Sequence, residues 1–122
     1  MSTALRILVV EDQPLLLLDL ADQLTECGHH VLTAGSACTA ARLLDADIDA
    51  LITDIELGEG PDGLALARLA AQARPDLPIV VVSAGVSPTR AQLPAGAVFI
   101  PKPYRVSDIL AALQQNPISH AA

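Results

Sequence analysis

The chain predicts an α/β fold, a doubly wound five-stranded parallel sheet carrying about five helices. Three observations lead there. Five short apolar runs alternate with helical stretches across short connections, the signature of consecutive βαβ units. Runs such as LRILVV at 5–10 and PIVVVS at 78–83 are continuously apolar, as strands buried on both faces are. Residues able to do chemistry also collect where these runs end: Glu11-Asp12, Asp54, Ser83 and Lys102.

Each element has a local reason. After the first strand, Asp12 is an N-cap candidate and Pro14 suits a first helical turn. That helix reaches about Cys27, and Gly28 is a good residue to end it. It carries Leu15, Leu16, Leu17, Leu18 and Leu20. A core-facing stripe needs only about half of such a run, so one or two leucines are expected at the surface. His30–Ala34 is the second strand. Ser36 caps a helix from Ala37 to about Asp45, with Ala40, Ala41, Leu43 and Leu44 as its apolar positions. Ala50–Asp54 is the third strand. Gly63 begins a helix through Leu64, Leu66, Ala67, Leu69 and Ala70 that stops before Pro75.

The fourth strand, at 78–83, is the most strand-like run of the chain. Pro88 and Pro94 interrupt the 86–95 segment, so its helix is expected to be short, irregular or mobile. Ala97–Pro101 is the fifth strand, and a proline so late in it belongs at a sheet edge or a strand end. Residues 106–115 form a last amphipathic helix, and 116–122 a tail expected to fray.

Composition bounds the rest. The length of 122 residues suits one domain, able to bury roughly two-thirds of its unfolded surface. There are no internal repeats, low-complexity segments or linkers. With 52% apolar and 2% aromatic residues, the core must be aliphatic. No apolar stretch approaches the ~20 residues of a bilayer span, and the N-terminus lacks a signal peptide's pattern. A cytoplasmic location is expected, with Cys27 and Cys38 reduced, as small core or near-surface residues. The net charge of −7 opposes direct nucleic-acid binding and otherwise favours solubility. His29, His30 and His120 receive no role, and the expected state is a monomer or weak dimer.

In a doubly wound sheet, ligands sit beyond the carboxyl ends of the strands, at the switch in strand order. Glu11, Asp12, Asp54, Ser83 and Lys102 would then share one cleft: a carboxylate nest for a divalent cation, a hydroxyl and the chain's only lysine. Such a set suits chemistry on phosphate. Taken singly, each has a plainer reading: a helix cap for Asp12, a solvated acid for Glu11, a backbone-bonded hydroxyl for Ser83, a surface cation for Lys102. The conjunction favours function. Residues 58–63 (GEGPDG) also match the G-x-G-x-x-G dinucleotide fingerprint after a strand and before a helix. That reading is rejected. The motif follows the third strand rather than the first, and Glu56, Glu59 and Asp62 would repel a pyrophosphate. A flexible glycine-rich loop beside Asp54 is the better account.

The segments LVVEDQP, LITDIELG, IVVVSAG and FIPKPY, in that order, resemble the receiver domain of two-component response regulators. The resemblance covers residues 5 to about 115 and implies a flavodoxin-like sheet in the order 2-1-3-4-5. It implies that Asp54 accepts a phosphoryl group from a sensor histidine kinase or a histidine phosphotransfer protein. Glu11, Asp12, Asp54 and the backbone carbonyl of Glu56 would hold Mg²⁺. Lys102 would neutralise the phosphoryl oxygens and Ser83 would donate to one of them. A cis Lys102-Pro103 bond would aim the lysine, and Phe99 would be the switching aromatic.

The resemblance also implies docking of the first helix and the loop after strand five on the kinase's helical hairpin. The 86–95 segment and the glycine-rich loop resemble a branch with an atypical fourth helix. The Met1 start and short tail lead to the expectation of a stand-alone receiver, with no effector domain, acting on a protein target or passing or draining phosphate. Two alternatives stay open. One is an aspartyl-phosphate phosphatase of the dehalogenase type, with Glu56 at the spacing of its second acid. The other is a receiver-like module that binds without phosphorylation.

Overall fold

The computed structural model describes residues 4–114. In chain order the elements are β1 (Arg6–Val10), α1 (Pro14–Glu26), β2 (His30–Ala34), α2 (Ala37–Leu43), β3 (Ala50–Asp54), α3 (Gly63–Ala73), β4 (Ile79–Ser83), β5 (Ala97–Pro101) and α4 (Val106–Gln114). All strands are parallel, in the order β2-β1-β3-β4-β5. The expected sheet is therefore present. Every residue of β3 and β4 is buried, which is why these segments read as unbroken apolar runs. β5 lies at an edge and is only partly covered, which accommodates Pro101.

Strand side chains alternate between two aliphatic layers. Leu8, Val10, Leu51 and Val81 pack with Ala40 of α2 and with Leu66, Ala67 and Ala70 of α3. Ile7, Val9, Ile52, Val80 and Val82 face the other way, onto Leu20 and Leu24 of α1 and Ile109 and Leu113 of α4. No helix among the described residues is long and apolar enough to cross a membrane.

Several local expectations are corrected. Asp12 does not cap α1: Gln13 is the N-cap residue, with no side-chain cap, and Asp12 faces the cleft instead. Ser36 does cap α2, accepting from the Thr39 amide at 3.2 Å. Asp62, whose carboxylate accepts from the Ala65 amide at 2.9 Å, caps α3. Three leucines of α1 are exposed rather than one or two, namely Leu15 (82%), Leu16 (43%) and Leu18 (58%). Of the two placements expected for Cys27 and Cys38, the surface one holds: both are exposed. His29 is buried, and its Nδ1 accepts from the Leu5 amide at 3.0 Å, so it ties the start of β1 to the α1–β2 turn. His120 and the 116–122 tail lie outside the described residues.

Between β4 and β5 there is no helix, which leaves four helices among the described residues rather than about five. Pro88 and Pro94 bracket a turn in which the Gln92 amide donates to the Thr89 carbonyl at 3.0 Å. The Gln92 side chain accepts from the Thr89 amide at 2.8 Å. Arg68 of α3 donates from Nε to the Gln92 carbonyl at 3.2 Å, and Leu93 packs on the α2/α3 layer. Two prolines remove two amide donors, so side chains hold this segment where helical bonds would otherwise run.

Candidate functional site

Strand register builds the site. Val10 pairs with Thr53, so Glu11 and Asp12 leave β1 beside Asp54, the last residue of β3. Asp54 pairs with Val82, which sets Ser83 one step further on, and Ser83 pairs with Pro101 before Lys102. The Lys102 amide donates to the Ser83 carbonyl at 2.9 Å, and the Lys102-Pro103 bond is cis. The sheet reverses its winding direction between β1 and β3, so these carboxyl ends flank the crevice where such folds bind ligands.

Asp54 is 5% exposed, and its Oδ2 accepts from Lys102 Nζ at 3.0 Å. The same ammonium donates to Glu11 Oε1 at 3.0 Å. One carboxylate oxygen from each of Glu11, Asp12 and Asp54 lies within 4.8 Å of the others. Glu11 and Asp54 thus share one ammonium, Asp12 stands beside them, and the three carboxylates could hold a metal. An all-oxygen, anionic donor set fits a hard divalent cation, which would relieve the remaining repulsion. Burial pushes the Glu11 carboxyl above its usual range, with the bonds from Lys102 and the Gln13 amide offsetting part of that rise. Burial also opposes the charge on Lys102. Its hydrogen bonds to Asp54 and Glu11 outweigh that cost, so its pKa is raised and the ammonium stays charged.

The other predicted residues separate into two groups. Ser83, 1% exposed, donates its hydroxyl to Glu56 Oε1 at 2.9 Å and accepts from the Val86 amide at 3.0 Å. The Glu56 amide donates to Asp54 Oδ1 at 3.3 Å. Glu56 is therefore bound to the site by its side chain as well as its backbone, which the sequence reading did not foresee. Phe99 lies away from the carboxylates, half-buried on the α2/α3 layer beside Val81.

Two glycines were undervalued. Gly58, at a φ of +70°, passes under Asp12, where a β-carbon would stand 3.2 Å from Oδ2. Gly63 donates its amide to the Ile55 carbonyl at 2.8 Å, and a β-carbon there would collide with the Asp54 carbonyl. The two ends of the glycine-rich segment thus form a collar against the site while its middle is exposed, and the adjoining D-G pair that caps and starts α3 was the available signal.

Comparison with known proteins agrees with this fold. The family model for the response regulator receiver domain matches residues 7–114. The chain is 34% identical over 116 residues to the transcriptional regulatory protein TcrA of Mycobacterium tuberculosis, covering 92% of this chain and 46% of TcrA. It is 30% identical over 117 residues to the DNA-binding transcriptional regulator NtrC of Azospirillum brasilense, covering 93% of this chain and 24% of that protein. The chain thus spans about half or less of the curated relatives it matches.

Among solved structures, a response regulator receiver protein from Sinorhizobium medicae superposes with a TM-score of 0.85 at 32% identity, covering 92% of this chain and 93% of that one. A Burkholderia pseudomallei response regulator, solved with a phosphorylated aspartic acid, calcium ion and citrate, superposes at 0.78 and 29% identity, covering 93% and 69%. The chain belongs to the response regulator receiver domain family, whose members are signalling modules of two-component systems.

Proposed function

We propose that this chain is the phosphoacceptor of a two-component or phosphorelay pathway. Asp54 takes a phosphoryl group from the phosphohistidine of a sensor histidine kinase or a histidine phosphotransfer protein. The observation that carries this is the pairing of a buried Asp54 carboxylate with one ammonium inside a nest of two further acids. An Asp54 carboxylate oxygen attacks phosphorus as the P–N bond breaks. The electron pair stays on the imidazole nitrogen, and an acyl phosphate forms. Lys102 shifts its donors from carboxylates to phosphoryl oxygens, and the Ser83 hydroxyl turns to another.

Glu11, Asp12, Asp54 and the Glu56 backbone carbonyl would hold Mg²⁺, whose charge offsets that of the incoming phosphoryl group. The phosphorylated aspartic acid and calcium ion of the Burkholderia relative support this reading. Phe99, beside Val81 on the α2/α3 layer, would be the aromatic that follows Ser83 as its loop moves.

The donor protein docks on the exposed leucines of α1 and the groove of about 620 Å³ beside them, lined by Leu16, Asp19, Lys102, Tyr104 and Arg105. The phosphorylated domain then acts on a protein target or passes the phosphate on, in the cytoplasm and without touching nucleic acid. A dehalogenase-type phosphatase fits less well. Its nucleophile would end β1, where Glu11-Asp12 stand, and the Glu56 carboxylate it would need is engaged by Ser83.

Intact mass after incubation with acetyl phosphate tests the reading on wild type and Asp54→Asn, with and without Mg²⁺. One Mg²⁺-dependent phosphoryl adduct is expected, absent from the variant. An adduct that survives Asp54→Asn overturns the acceptor assignment. Steady release of phosphate from a small ester would favour the phosphatase. No adduct from either acetyl phosphate or a phosphohistidine donor would favour binding without phosphorylation.

A further inference from the structure

We infer that the Glu56 side chain is an internal competitor for the Ser83 hydroxyl, a positioning residue that holds the domain in its unphosphorylated arrangement; this rests on Asp54 being the phosphoacceptor. A serine hydroxyl has a single proton to donate. Here it goes to Glu56 Oε1 at 2.9 Å, while the lone pairs of the same oxygen receive the Val86 amide at 3.0 Å. Ser83 is buried and Glu56 exposed, so the bond is made by a surface carboxylate reaching back over the mouth of the site. Glu56 is two residues past Asp54, and its own amide donates to Asp54 Oδ1 at 3.3 Å. A β-carbon on Gly85 would stand 3.6 Å from Glu56 Oε2, so the carboxylate also rests against the loop that follows β4.

A phosphoryl group on Asp54 changes both halves of this contact. Its oxygens are acceptors only, so they and Glu56 cannot both receive the one Ser83 proton. It also brings roughly −1.5 to −2 charge beside the Glu56 carboxylate, at a distance where like charges repel. Glu56 swings into solvent, Ser83 turns inward, and the Val86 amide follows its acceptor. The latch thus couples occupancy of Asp54 to the backbone at 84–86, and the affinity for the phosphoryl group includes the work of opening it.

The test is a titration with beryllofluoride, a phosphoryl analogue that binds a carboxylate, in the presence of Mg²⁺ and followed through the amide resonance of Val86. Wild type, Glu56→Ala, Glu56→Gln, Ser83→Ala and the Glu56→Ala/Ser83→Ala double variant are compared, with Asp54→Asn as the site control. Glu56→Ala is expected to bind about tenfold tighter than wild type, from the net worth of a hydrogen bond to a charged group. Glu56→Gln keeps an acceptor but loses the charge, and falls between. In the free state, Glu56→Ala moves the Val86 amide toward its beryllofluoride-bound position.

The cycle decides the mechanism, because a gain carried by the hydroxyl disappears in the Ser83→Ala background. The same gain with and without the hydroxyl would reduce Glu56 to simple repulsion and overturn the inference, as would unchanged affinity in Glu56→Ala. If wild type and every variant fail to bind beryllofluoride, the Asp54 reading itself falls, and this inference with it.

Discussion

At Gly63 the fold leaves room for a hydrogen atom and nothing larger. The atoms that a β-carbon would strike belong to the backbone of Asp54 and Ile55, so neither a rotamer change nor a flexible neighbour can relieve the clash. Gly63→Ala is expected to cost about 3 kcal/mol in urea denaturation, because α3 must back away from the end of β3. The fraction that remains folded should label more slowly with acetyl phosphate, since its acceptor has moved. A loss below about 1 kcal/mol would mean that α3 shifts freely and that the collar does not hold Asp54. The residues proposed to carry chemistry were legible at this scale because strand ends mark them: Glu11, Asp12, Asp54, Ser83 and Lys102 all reach the cleft or its wall. Contacts between chain-distant groups were not. The bond from the Leu5 amide to His29 spans 24 residues, and that from Ser83 to Glu56 spans 27.

Among the elements, α1 is the least satisfied by its own fold. Leu20 and Leu24 fill the core, and Leu15, Leu16 and Leu18 are left facing water. An exposed apolar edge that contributes little to the core and borders the site's groove supports the docking proposed for it. Replacing Leu15, Leu16 and Leu18 together by serine should change stability by less than about 0.5 kcal/mol per site. Labelling by acetyl phosphate should persist, while transfer from the phosphohistidine donor falls by about tenfold or more, as when an apolar anchor is lost from an interface. Equal transfer rates would place the donor elsewhere. The β4–β5 connection is the opposite case. Its prolines made an ordinary helix improbable from sequence, but only the folded chain supplied the Arg68 bond and the Leu93 packing that hold it.

For the whole molecule, the acid cluster sets a stability that depends on its counterion. Glu11, Asp12 and Asp54 crowd together with only the first and last paired to Lys102, and a divalent cation bound there would stabilise the folded chain by mass action. At Mg²⁺ concentrations about tenfold above the dissociation constant, the gain is roughly 1.4 kcal/mol, which raises Tm by about 4 to 7 °C. Asp12→Asn should remove most of that rise without unfolding the chain, since Asp12 is exposed and caps no helix. A melting temperature that ignores Mg²⁺ in wild type would argue that the nest holds no cation.

By itself the sequence determined the alternation of strands and helices, the aliphatic core and the chemical types at the strand ends. Each of these depends on short-range pattern: runs buried on two faces, caps, and prolines that end elements. Tertiary structure decided the partnerships. Which carboxylates share Lys102, which acid takes the Ser83 proton, which glycine lies against Asp54 and which leucines stay in water all depend on strand register and helix docking. Those distances join residues far apart along the chain, and no local preference encodes them.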